Sequence, residues 1–87
     1  MEQRKNARMN YTEGSGDNMN IEWTEGFRIT VKIADSEVTV SANREGLLSL
    51  ARQLMDMADM PCGTHIHYDE YNSLEEGSAE LIIEKVE

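Results

Sequence analysis

Phe27-Arg28-Ile29-Thr30-Val31-Lys32-Ile33-Ala34-Asp35-Ser36-Glu37-Val38-Thr39-Val40-Ser41-Ala42-Asn43 is the stretch that decides the fold. Phe27, Ile29, Val31 and Ile33 alternate with Arg28, Thr30 and Lys32, the period-two pattern of a strand with one buried and one wet face. Asp35-Ser36 supplies a turn, although without the glycine that favours the tightest hairpins, so a loop one or two residues longer also fits. Glu37 to Ala42 alternates again and is rich in β-branched residues, so residues 27 to 42 read as an antiparallel hairpin. Asn43 is then a good helix N-cap, because its side-chain oxygen can accept from a free backbone N–H.

Outward from that hairpin, Leu47, Leu50, Ala51, Leu54, Met57 and Ala58 recur at three- and four-residue intervals. This spacing predicts an amphipathic helix that lays these residues on a sheet, ended by Pro61 and Gly63. Thr64 to Asp69 alternates as a strand, with Ile66 and Tyr68 on one face and His65, His67 and Asp69 on the other. A polar connection to Ser78 precedes a last strand over Ala79 to Val86. The expected fold is therefore α+β, ββαββ, an antiparallel sheet with one amphipathic helix on one face. Ile82 and Val86 project away from the face of Leu81 and Ile83, so the uncovered side keeps some apolar area. Upstream, Asn20 to Thr24 suggests a short edge strand. Residues 1–19 are too polar to repay their ordering entropy and read as a disordered arm before a single domain over residues 20–87.

Eighty-seven residues allow one modest core. Eight basic against seventeen acidic residues give a net charge of -9. Residues 53 to 87 hold nine acids and only Lys85, so the negative field belongs to the C-terminal half. Such a field repels phosphate backbones and attracts basic surfaces, which argues against nucleic acid as a partner. No apolar run approaches the ~20 residues of a membrane span, and no secretory signal is evident at the start. The single cysteine, Cys62, excludes an internal disulfide, so a cytoplasmic setting is expected.

Three groupings invite a chemical reading. His65-x-His67-x-Asp69 puts two imidazoles and a carboxylate on one strand face, a partial metal set without an evident fourth ligand, and more simply a solvated or partner-facing surface. Cys62 near His65 lacks an orienting acid and an oxyanion hole, so a partly buried structural thiol is the simpler account. The carboxylates of Asp69, Glu70, Glu75 and Glu76 fit a solvated loop better than an acid–base pair. No enzyme activity and no cofactor are expected. Trp23, Tyr68 and Tyr71 are aromatics among acids, the content of interface anchors, and Tyr71 sits in a connection with no evident core role. The candidate partner surface is accordingly His65, His67, Asp69, Glu70, Tyr71, Glu75 and Glu76.

Gly63-Thr64-His65-Ile66-His67-Tyr68-Asp69-Glu70-Tyr71-Asn72 followed by Leu74-Glu75-Glu76-Gly77-Ser78-Ala79-Glu80-Leu81-Ile82-Ile83-Glu84-Lys85-Val86 resembles the immunity protein 32 family of bacterial polymorphic toxin systems. The hairpin leading into Asn43 and the leucine-rich helix fits the same pattern, so the likeness covers residues 27 to 86. It implies a cytoplasmic protein whose partner is a cognate toxin domain that it binds and blocks. Two other functions remain open on the residues alone: a small metal-binding domain using His65, His67 and Asp69, and a homodimeric module that pairs through the uncovered sheet face.

Overall fold

The computed structural model describes residues 8–10 and 20–87. Along the chain lie β1 (Arg8–Asn10), β2 (Asn20–Glu22), β3 (Ile29–Ala34), β4 (Glu37–Ala42), α1 (Arg44–Ala58), β5 (His65–Tyr68) and β6 (Leu81–Glu84). From β3 onward the order is the expected ββαββ, and the fold is α+β. The arm expected over residues 1–19 lies outside the described residues apart from β1.

The strands pair as three antiparallel two-stranded ladders, β1 with β2, β3 with β4 and β5 with β6. The β3–β4 turn is the two-residue one, with Ala34 opposite Glu37. Asp35 and Ser36 stand at φ 53° and 67°, the doubly left-handed geometry that matches strand twist. Along the other edge of β3, the Glu75 and Ala79 N–H groups donate to the Ile29 and Val31 carbonyls at 2.9 and 2.8 Å. The connection before β6 thus takes the place of a third strand beside β3.

Asn43 joins the hairpin to the helix. Its Oδ1 accepts from Gly46 N at 2.8 Å and from Arg28 N at 2.9 Å, while its Nδ2 donates to the Gly26 carbonyl. The expected cap is present, and it also ties the start of α1 to the start of β3. At the other end Lys85 Nζ donates to the carbonyls of Ala58 and Met60, satisfying groups the helix leaves open.

The helix face differs from the one its leucines suggest. Gly46, Ser49, Gln53 and Met57 turn inward, whereas Leu47 and Leu54 are exposed and Leu50 is half-buried. The reason lies in what α1 packs against. The segment Glu22-Trp23-Thr24 brings backbone polar groups to the helix: Ser49 Oγ accepts from Thr24 N at 2.8 Å, and Gln53 Nε2 donates to the Glu22 carbonyl at 3.0 Å. Buried backbone groups need partners, so a polar seam outranks leucine burial here. Leu54→Ala is accordingly expected to cost about 0.5 kcal/mol, against about 2–5 for a core leucine. Urea unfolding followed by circular dichroism measures this.

The core is instead aromatic and β-branched: Ile21, Trp23, Phe27, Ile29, Val31, Met57, Ile66, Tyr68 and Leu74. Trp23 stacks on Phe27 with ring centroids 4.4 Å apart and meets the edge of Tyr68 at 6.0 Å. Trp23 and Tyr68, both read as anchor-like from sequence, are therefore core residues. The alternation of β3 holds only to Val31; Ile33 is 61% exposed, because the hairpin tip projects past the layer that covers its base. Cys62 is exposed, on the turn between α1 and β5, and not the partly buried thiol expected.

Candidate functional site

The connection between β5 and β6 is built as a rigid shelf. Asp69 starts it: its carbonyl accepts from the N–H groups of Asn72, Ser73 and Leu74, and its Oδ1 accepts from Tyr71 N and Asn72 N at 2.9 and 3.1 Å. Asn72 Nδ2 donates to the His67 carbonyl. Ser73 and Leu74 are buried and seat the loop in the core. Further on, Ser78 Oγ accepts from Val31 N, and Gly77, at φ 89°, donates its N–H to Glu70 Oε2 at 2.7 Å.

This lacing sorts the expected site residues. Asp69 and Glu70 spend carboxylate oxygens on holding the loop, and Glu75, half-buried, follows the same course through its backbone. Tyr71 is 94% exposed, and Glu76 is exposed at the neighbouring turn. The structure thus presents an uncovered aromatic and a carboxylate rim on a fixed backbone.

His65 and His67 lie on the outward face of β5, as their parity requires. Register places His65 opposite Glu84 and His67 opposite Ile82, so that face also carries two carboxylates, Glu80 and Glu84. His67 Nδ1 lies 3.0 Å from Glu80 Oε2, His65 Nδ1 lies 2.9 Å from the Gly63 carbonyl, and the two rings are 5.2 Å apart. Among the described residues, no three His, Cys, Asp or Glu side chains are placed to hold one metal ion. Asp69, the third member of the sequence grouping, is turned to its own loop.

Sequence reasoning missed a second surface. Ile33, Val38 and Val40 share one face of the β3–β4 hairpin, since Val31 stands opposite Val40 and Ile33 opposite Val38, and all three are open to solvent. Their alternation is indistinguishable from that of a buried strand, so pattern alone cannot reveal their exposure. Among the described residues no helix is long and apolar enough to cross a membrane. Compared with known families, the chain matches the family model described as Immunity protein 32 over residues 37–86, from β4 through the last strand. Neither the curated proteins nor the solved structures contain a match to it.

Proposed function

The chain belongs to the immunity protein 32 family, and from that premise we propose that it binds and neutralises a cognate toxin domain by direct protein contact, with no chemistry of its own. It acts in the cytoplasm of the bacterium that must be protected. Tyr71 carries the reading: an aromatic side chain 94% exposed has no role in the core, yet its backbone is held by Asp69. An anchor fixed in advance loses little entropy on binding, and aromatic anchors dominate interface energies.

Charge supports the same surface. Lys85, the only lysine or arginine after Arg52, is spent on capping α1, so residues 53–87 set nine acids against a single cation held at the helix end. A basic protein surface would be drawn to it, and complementary charge acts mainly on the rate of encounter. The same field disfavours nucleic acid. His65 and His67 flank the shelf as additional hydrogen-bonding groups.

The test is the kinetics of association with a cognate toxin domain. Glu75→Lys with Glu76→Lys is expected to slow association and flatten its salt dependence. Tyr71→Ala is expected to speed dissociation by about 30-fold, the loss of one anchor of about 2 kcal/mol. Circular dichroism of each variant should match the parent. Parent-like rates in both would place the contact elsewhere.

A further inference from the structure

We propose that the outer edge of β4 pairs antiparallel with the same edge of a second copy, giving a four-stranded sheet of two hairpins about a two-fold axis at Thr39. The proposal goes beyond toxin binding and is independent of it, since it concerns the free protein.

The phase of the ladder identifies which backbone groups are available. With a two-residue turn, Ala34 and Glu37 exchange hydrogen bonds, and the exchange recurs at Lys32–Thr39 and Thr30–Ser41. Ile29 and Val31 therefore direct their polar groups to the opposite side. The structure bears this out independently, because their carbonyls accept from Glu75 and Ala79, and Val31 N donates to Ser78. By the same alternation Val38 and Val40 direct N–H and C=O away from β3. Among the described residues, no other element hydrogen-bonds to that side of β4.

Edges of this kind are usually blunted by charge, proline or a bulge. β4 has Glu37 at one end, no proline, and an unbroken one-to-one register with β3. It also bears Val38, 58% exposed, and Val40, 40% exposed, beside Ile33. An unbroken edge with apolar side chains on one face is a template for another strand.

Self-pairing satisfies the geometry. Outward-directed residues must face one another, and an axis at Thr39 sets Val38 opposite Val40 of the second copy, and the reverse. Thr39 then faces Thr39, and Glu37 faces Ser41, so no like charges stand opposite. The valines and Ile33 of both copies merge into one apolar strip on one side of the sheet.

Charge selects a second copy at this edge over the other open apolar position. Each chain carries -9, so two copies repel except where the local charge is balanced. Residues 27–42 are balanced, with Arg28 and Lys32 against Asp35 and Glu37. Ile82, by contrast, is flanked on its own face by Glu80 and Glu84, which would meet their counterparts.

A contact one strand long is small, so the dimer should be weak, with a Kd on the order of 100 µM. Sedimentation equilibrium of the full chain from about 10 µM to about 1 mM should show the mass rising from 9.9 kDa toward twice that value. Val40→Pro removes an N–H that β3 does not use, a substitution edge strands tolerate, and is expected to weaken dimerisation at least about tenfold with an unchanged circular dichroism spectrum. Val38→Lys, which keeps every backbone group, is expected to do the same and decides the matter if the proline variant fails to fold. A monomer throughout the range would overturn the proposal. So would a dimer unaffected by both changes, one abolished only by Ile82→Lys, or amide protection of Val38 and Val40 that appears only when toxin is added.

Discussion

Tyr68→Ala should destabilise the fold more than any surface substitution, by about 3–5 kcal/mol. The ring is buried, meets Trp23 edge-on, and donates its hydroxyl to Gln53 Oε1 at 2.8 Å; Gln53 in turn donates to the Glu22 carbonyl. One side chain therefore joins β5, α1 and the segment after β2. Truncating a buried aromatic costs about 3–5 kcal/mol, and a domain of this length holds roughly 4–13 kcal/mol in total. A melting temperature lower by roughly 12–40 °C is the expected result by circular dichroism. Tyr68→Phe keeps the packing but strands Gln53 Oε1, and should cost about 1–3 kcal/mol. A loss in the alanine variant no greater than in the phenylalanine variant would show that the ring itself is not packed.

The same phenol gives the fold an alkaline limit. Burial pushes its ionisation well above the ordinary value of 10.0, because the phenolate would lose its hydration. The unfolded chain releases this proton near pH 10 while the folded chain retains it. The contribution is therefore whole below that pH and declines as pH rises above it. Tyr68→Phe should lack this part of the decline when urea midpoints are compared across pH 9 to pH 11 or so.

What the sequence made legible was whatever depends on local rules. The hairpin, the Asn43 cap, the parity of His65, His67 and Ile82, and the exposure of Tyr71 all follow from neighbours a few residues apart. The phase of α1 did not, because it depends on which backbone groups of Glu22 and Thr24 arrive against it from a distant segment. Ser49 and Gln53 look like solvent-facing residues until that need is known, and Leu47 and Leu54 look like core. Ile33, Val38 and Val40 fail as core for a related reason: alternation fixes which face they share, but not how far the covering layer extends. The candidate shelf was visible as composition, yet the division of labour within it, Asp69 and Glu70 holding and Tyr71 presenting, required the hydrogen bonds.

Gly46 carries the last expectation, and it opposes the usual rule. A glycine inside a helix is ordinarily improved by alanine, by about 1 kcal/mol. Here a Cβ would lie 2.8 Å from the Arg28 carbonyl oxygen, 2.9 Å from Ile29 Cγ1 and 3.1 Å from Ala42 Cβ. The oxygen cannot easily retreat, since it accepts from Asn43 N while Asn43 Oδ1 holds both Arg28 N and Gly46 N. Any shift that relieves the contact must loosen the cap joining the helix to β3. Gly46→Ala should therefore destabilise by about 1–3 kcal/mol despite its better helix propensity, and Gly46→Val by about 3 kcal/mol or more. Guanidinium midpoints for the two variants, with Ala51→Gly as the exposed helical control, make the comparison. An alanine variant as stable as the parent would mean that α1 does not approach β3 this closely, and with it would go the packing reason for the inward face of Gly46, Ser49 and Gln53.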